Sequence, residues 1–307
     1  MSRVSSFGQQ QVLITSIMQN QQRVFDAQRQ ISTGKKSEDY AGLGGDTGTA
    51  LGARSFKSRV DTYQATIATV RGKLNANDVQ VGGMIDAMSK LKETIQTTLA
   101  NNQAEGVSDV LNQSFNFMVS ALNTNYDGTY LFSGAKTGTK PVNVTSLQQL
   151  AALPATGDAF DNGKTPMKAK IADGVDLQFG LLASDVGQGA FDQMLSLYNY
   201  DQGANGPFNG KLTDAQRTFL QGKVSAMSTA IENMRQYQVK NGLANDRVDV
   251  VDQQHTDTSV FLQSFISDIE DVNVAEAVSR LNNDQTALEA SYKTIGSLSQ
   301  LTLLKFL

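Results

Sequence analysis

The chain has 307 residues, enough for a sizeable core in one large domain or two small ones. A net charge of -4 supplies no basic field for nucleic acid and no strong attraction to an anionic membrane surface. There is no cysteine, which excludes disulfides and thiolate metal sites, and one histidine, His255.

No apolar run follows Arg3, so no cleaved signal peptide is expected at the N-terminus. No apolar stretch approaches the roughly 18 residues of a membrane span, so no membrane insertion is expected. The first helix is predicted over residues 4–33, where Ile17, Val24 and Ile31 recur at a seven-residue interval with Ile14 and Gln21 between them. Gly42, Gly44, Gly45, Gly48 and Gly52 predict an irregular connector, because each glycine weakens a helix. A second helix, over 55–100, carries Leu74, Val81, Met88 and Ile95, with Met84 and Leu91 interleaved. A third, over 107–125, uses Leu111, Phe115, Met118 and Leu122.

All four prolines and 12 of the 26 glycines lie between residues 128 and 210, so that segment reads as turns, short strands and short helices. Asp127-Gly128, Asn162-Gly163, Asp173-Gly174 and Asn209-Gly210 are turn pairs. Loops near Gly157, Asn162 and Asn205 are expected to accept insertions. Beyond them, helices are predicted over 213–241, 243–270 and 273–303. The last has Val274, Leu281, Leu288 and Ile295 in series, with Val278, Gln285 and Tyr292 at the alternate step.

Such spacing draws one narrow apolar stripe along each helix, the pattern of a coiled-coil seam. The other faces are rich in Gln, Asn, Ser and Thr, with few Glu–Lys pairs to support a lone helix, so partner helices are required. Residues 1–36 carry +4 and residues 242–307 carry -6, so the two ends are expected to pair. The fold class expected is mainly α, with long antiparallel coiled-coil helices from both termini and a small α+β middle domain.

Individual sites read as structural. His255 lacks the companion ligands of a zinc site and is expected on a polar helix face. Glu38-Asp39 and the run Asp268, Glu270, Asp271 are carboxylates without the sign of a cleft that acid–base catalysis needs, and a solvated or subunit-facing surface is expected. Asn273, with Glu276 three residues on, is placed to cap the last helix. The glycines at 42–52 lack the Gly-Lys-Ser/Thr ending of a phosphate loop. Asn112 and Asn143 begin glycosylation sequons. Met84, Met88, Met118, Met227 and Met234 fall at helical spacing and are expected to fill core. No metal and no cofactor are expected.

Ile31-Ser32-Thr33-Gly34-Lys35-Lys36, followed by Asp39-Tyr40-Ala41-Gly42-Leu43, resembles the N-terminal signature of the flagellin family. Ile269-Glu270-Asp271-Val272-Asn273-Val274-Ala275-Glu276 resembles its C-terminal signature, and the chain closes on Leu303-Leu304-Lys305-Phe306-Leu307. The likeness covers residues 1–125 and 240–307. Gly128-Thr129-Tyr130-Leu131-Phe132-Ser133-Gly134 and Gln285 to Tyr292 are similar to the hook-associated protein 3 branch, which joins hook to filament.

The resemblance implies an extracellular structural subunit of the bacterial flagellum, without enzymatic activity, polymerising into the filament used for motility or forming the hook–filament junction. It implies inner-tube helices at 1–40 and 271–307, a helical shell from 41–127 and 211–270, and an outward-facing variable domain at 128–210. Ile14, Ile17, Val24, Ile31, Val274, Leu281, Leu288, Ile295 and Leu298 are then expected to pack between subunits. The implied partners are further copies of the chain, hook-associated proteins, a flagellar export chaperone and the type III export apparatus, with no nucleic acid. A secreted coiled-coil adhesin that does not polymerise stays open as a reading of another class.

Overall fold

A computed structural model describes the backbone of residues 2–303 and the side chains of residue 8 and residues 11–297. The side chain of Leu298 and the closing run from Leu304 to Leu307 lie outside the described residues. Among the described residues seven α-helices run in chain order: α1 Ser2–Thr33, α2 Thr47–Asn101, α3 Val107–Leu122, α4 Leu147–Ala151, α5 Ala183–Asp201, α6 Asp214–Glu270 and α7 Val274–Leu303. Two antiparallel hairpins lie in the middle of the chain: β1 Asn125–Tyr126 with β2 Thr129–Tyr130, and β3 Met167–Ala172 with β4 Val175–Phe179. The expected class, mainly helical with a small mixed middle, is the class observed.

The chain forms two compact units, one from residues 1–59 and 257–307, the other from residues 60–256. In the second unit α2 and α6 are antiparallel partners. Val60, Ile67, Val70, Leu74, Asn77, Val81, Met84, Met88, Leu91 and Ile95 of α2 are all buried. Almost every step in that series is three or four residues, which keeps one seam of the helix on its partner. Arg71 crosses to Asp249 at 2.8 Å and Asp252 at 2.9 Å, and Gln238 donates to Asp78 at 3.1 Å. The seam has a polar interruption: Asn77 and Asn241 are both buried, and the Asn241 amide donates to the Leu74 carbonyl at 2.8 Å.

The middle segment shares its core with these helices. Leu131, Phe132, Phe191 and Met194 join Met84, Met118, Met227 and Met234 in one cluster. Met167, Ile171, Leu177 and Phe179 of the second hairpin join Ile67, Leu74 and Val248 in another. The five methionines expected in the core are buried. Gly83 admits this packing on the α3 side, since a Cβ there would fall 2.6 Å from the Phe117 ring.

Three expectations about local structure are corrected. The helix expected to break near residue 242 is continuous: α6 keeps Gly242 inside it, at the ~1 kcal/mol that a helical glycine costs, and burial of Met234, Asn241 and Val248 at seven-residue steps holds it on α2. The second helix starts at Thr47, not 55, because Ala50 and Ala53 are buried and carry Gly48 and Gly52 into the helix. Glycine interrupts only the 3-10 turn Tyr40–Asp46, at Gly44 with φ 57°. The loop at Asn162 is not open, and the exposed loop at Asn205 is held at one point. Asn162 exchanges hydrogen bonds with Ser184 at 3.1 Å, and Gln216 donates to the Asn205 carbonyl at 2.9 Å.

The turn at Gly138 is open: a methyl group on its Cα would meet no atom within 4 Å. A Gly-Ser insertion after Gly138 is therefore expected to change stability by no more than about 0.5 kcal/mol. The same insertion after Asn162 is expected to cost about 1–3 kcal/mol by breaking its paired bonds with Ser184. Urea unfolding followed by circular dichroism measures both.

Candidate functional site

The two signature segments meet in the first unit. Helix α1 ends at Thr33, and Gly34 turns the chain in the left-handed region, φ 71°, while its N–H closes on the Gln30 carbonyl at 2.9 Å. The turned chain then lies against the end of α6. Lys36 N–H donates to the Glu270 carbonyl at 2.7 Å and Val272 N–H to the Gly34 carbonyl at 2.9 Å, with Lys35 and Asp271 paired as a short antiparallel bridge. The Lys36 ammonium donates to the carbonyls of Asp268 and Ile269 at 2.7 and 2.8 Å. Those carbonyls are the unsatisfied, partly negative end of α6, so a cation there caps the helix.

Glu270 is the centre of the arrangement. Its side chain is only 7% exposed, and Arg54 of α2 grips it as a fork: Nε to Oε1 at 2.7 Å and Nη2 to Oε2 at 2.5 Å. Lys35 Nζ lies 3.4 Å from Oε2 and 2.5 Å from Asp271 Oδ1, and the Ser267 hydroxyl donates to the other Asp271 oxygen. Arg54 hydrogen bonding holds the Glu270 carboxyl below the usual range against the opposing effect of burial, with Lys35 adding to it. Lys35 and Ser267 do the same for Asp271. Both acids are thus fixed as ions by cations and hydroxyl, the reverse of a carboxyl poised near neutral pH to move protons. Just beyond, Asn273 caps α7 by accepting the Glu276 N–H at 3.2 Å, as its spacing predicts.

From this clasp α1 and α7 run back along each other, antiparallel. Gln21 donates to the Tyr292 hydroxyl at 2.6 Å and Arg280 to Gln30 at 3.1 Å. Leu13, Ile17, Asn20, Val24, Ala27 and Ile31 of α1 are buried or half-buried, as are Ala277, Leu281, Asp284, Leu288, Ser291 and Ile295 of α7. Each set advances by alternating steps of four and three, so these twelve form the seam between the two helices. Ile17, Val24, Ile31, Leu281, Leu288 and Ile295 are thereby brought together within one chain. Ile14 and Val274 are not: they are 45% and 49% exposed. Ile14 belongs to a second stripe with Met18, Gln21 and Phe25, beside the seam, and Val274 to one with Val278, Gln285 and Tyr292.

The other candidates have structural partners. Asp39 caps the 3-10 turn through the Gly42 N–H at 3.0 Å. His255 faces the Ile171 carbonyl at 2.7 Å and stacks on Tyr63, which fixes the second hairpin against α6. The sequon amides of Asn112 and Asn143 donate to the carbonyls of Ser108 and Asp158 at 2.8 and 3.2 Å. Among the described residues no three metal-ligating side chains cluster, and no helix is long and apolar enough to cross a membrane. Arg54 escaped the sequence reading: it stands 216 positions from Glu270, and nothing local marks it.

A helical protein whose two chain ends close on each other through matched signatures is a definite structural class. Residues 4–137 match the bacterial flagellin N-terminal helical region, and residues 224–307 match the bacterial flagellin C-terminal helical region. The chain belongs to the bacterial flagellin family. In fold it is similar to a flagellar hook-associated protein from Vibrio parahaemolyticus, with TM-score 0.58 and 15% identity over 72% of this chain and 96% of that one. It is likewise similar to FlgL of Bacillus cereus, with TM-score 0.56 and 12% identity over 70% and 98%. No curated protein matches it in sequence.

The clasp sets a pH response. A carboxylate with a lowered pKa stabilises the fold above its unfolded value, about 4, and that contribution is lost as pH falls through the folded value. Acidification below about pH 4 is therefore expected to melt helix from the terminal unit. Glu270→Gln is expected to cost about 1–3 kcal/mol at neutral pH, since Arg54 and Lys35 are half-exposed and regain water. It should also flatten the acid transition. Far-ultraviolet circular dichroism of the full chain across pH reads both effects.

Proposed function

We propose that the chain is a structural, non-enzymatic subunit of the bacterial flagellum that polymerises as a flagellin into the filament used for swimming. The observation that carries this reading is the second apolar stripe. Once α1 and α7 have covered each other, Ile14, Met18 and Phe25 on one helix and Val274, Val278 and Tyr292 on the other remain exposed. A stripe at coiled-coil spacing that its own chain leaves uncovered fits a neighbouring helix, and burial contributes about 25 cal/mol per Å2 at each repeated contact.

On this reading Ile14 and Val274 touch neighbouring subunits directly. Ile17, Val24, Ile31, Leu281, Leu288 and Ile295 act by holding the helix pair in the shape that presents them. Residues 1–40 and 271–307 form the inner tube, 41–127 and 211–270 the shell, and 128–210 faces outward. The chain leaves the cell through the type III export apparatus with an export chaperone, and hook-associated proteins are its neighbours in the flagellum.

A second reading is the junction subunit between hook and filament. The fold likeness to a hook-associated protein and to FlgL favours it. So does the placement of the segment from Gly128 to Gly134, whose Leu131 and Phe132 sit fully in the core. Gene deletion and immuno-electron microscopy separate the two. Label along the whole filament supports the filament subunit, whereas label confined to the hook end supports the junction.

Seeded growth of purified chain, read by light scattering and electron microscopy, tests polymerisation. Ile14→Asp is expected to keep the helix content and stop growth. Leu288→Asp is expected to lower both, because it removes a half-buried apolar contact and adds a second carboxylate one step from Asp284, at a cost of about 1–3 kcal/mol. Glu289→Ala, an exposed neighbour, should stay within about 0.5 kcal/mol of the parent and grow normally. Normal growth of Ile14→Asp would remove the second stripe from the subunit contact.

A further inference from the structure

The methionines divide sharply by exposure. Met84, Met88, Met118, Met167, Met194, Met227 and Met234 are each at most 7% exposed, whereas Met18 is 65% exposed. Among the described residues, Met18 is therefore the one thioether that a dissolved oxidant reaches without unfolding the chain. It lies in the middle of the stripe Ile14, Met18, Gln21, Phe25, four residues after one large apolar side chain and seven before the other. Unlike those neighbours it can be made polar without changing the sequence.

The structure points to Met18 as a redox-modification site that gates assembly: its oxidation by a peroxide in the unassembled chain removes the subunit's ability to polymerise. This rests on the polymer reading given above. In the reaction the sulfur lone pair attacks one peroxide oxygen, the S–O bond forms and the O–O bond breaks. The sulfur loses two electrons, and the departing hydroxide takes the proton from the sulfur-bound oxygen, directly or through water, and leaves as water. The product is a methionine sulfoxide, whose S–O dipole demands a hydrogen-bond donor. In free solution water supplies it. In a contact lined by Ile14 and Phe25 that water is displaced, and the nearby Gln21 amide is already engaged with the Tyr292 hydroxyl, so burial of the modified stripe becomes unfavourable. The seam residues Ile17, Val24 and Leu288 are untouched, so the helix pair itself persists. The change is reversible, because methionine sulfoxide can be reduced back to the thioether.

The test uses the full chain and hydrogen peroxide. Purified subunit is exposed to limiting peroxide, one portion is mapped by peptide mass spectrometry, and the other is offered to seeds. The expected result is sulfoxide at Met18 ahead of the seven buried methionines, unchanged helix content, and growth slower on the order of tenfold. Met18→Leu, which has no thioether, is compared with its own untreated growth, whatever that rate, and should lose none of it after the same exposure, which separates Met18 from any other oxidised residue. Even oxidation across the methionines overturns the assignment of the site. Oxidation at Met18 with undiminished growth, or equal loss of growth in Met18→Leu, overturns the gating. Untreated parent chain that never grows overturns the polymer reading, and gating with it, while the mapping arm still decides the site.

Discussion

Glu270 ties together three separate parts of the chain. Arg54 reaches it from α2, Lys35 from the turn after α1, and Glu270 itself ends α6. A nearly buried carboxylate is costly unless its oxygens are fully occupied. Here the fork of Arg54 and the ammonium of Lys35 occupy them. The same turn brings Lys36 onto the free carbonyls of α6 and leaves Asn273 to start α7. The direction in which α1 and α7 leave this point follows from the clasp, and their seam follows from that direction.

Along that seam the large apolar residues of α1, Ile17, Val24 and Ile31, recur every seven positions and are separated by Asn20 and Ala27. On α7, Asp284 and Ser291 separate Leu281, Leu288 and Ile295 in the same way. Small or polar residues at five of the six alternate seam positions (Asn20, Ala27, Ala277, Asp284 and Ser291) reduce the apolar area that the pair buries in isolation. Ile14, Met18 and Phe25 on one helix, and Val274, Val278 and Tyr292 on the other, sit on the adjoining stripe. On the proposed polymer reading the apolar material of each helix is divided between its own chain and a neighbour, which weakens the lone subunit and strengthens the assembled one.

This division explains which parts of the arrangement the sequence revealed. A seven-residue recurrence of Ile17, Val24 and Ile31, or of Leu281, Leu288 and Ile295, survives any choice of partner, so helix, class and antiparallel ends were legible. The alternate step was not. Hydrophobicity selects Ile14 over Asn20 and Val278 over Asp284, yet the structure turns Ile14 and Val278 outward. A helix that serves two partners carries two stripes, and apolarity alone does not say which is inside. The net charges of the two ends pointed to their pairing. Glu270, however, read as solvated or subunit-facing surface, whereas it is nearly buried on Arg54 and Lys35 of its own chain. The contribution of Arg54 depends on a fold that carries it back to Glu270. Asn162 read as a loop tip because Asn-Gly marks turns, and its bonds to Ser184 have no local signature.

The amides of Asn77 and Asn241 in the seam of α2 and α6 have a mechanical meaning. Two helices joined only by Leu, Val and Met at seven-residue repeats can slide by one repeat, roughly 10 Å, and find nearly equivalent packing. Such a seam resists separation well and axial shear poorly. Asn241 breaks the equivalence, because in this register alone it faces the second buried amide, Asn77. A displacement of one repeat sets the two amides apart among Met and Val side chains, at about 1–3 kcal/mol for each orphaned group. The amide pair therefore acts as a detent: a single interior notch that lets a long, smooth helix pair transmit a pull along its axis instead of creeping under it.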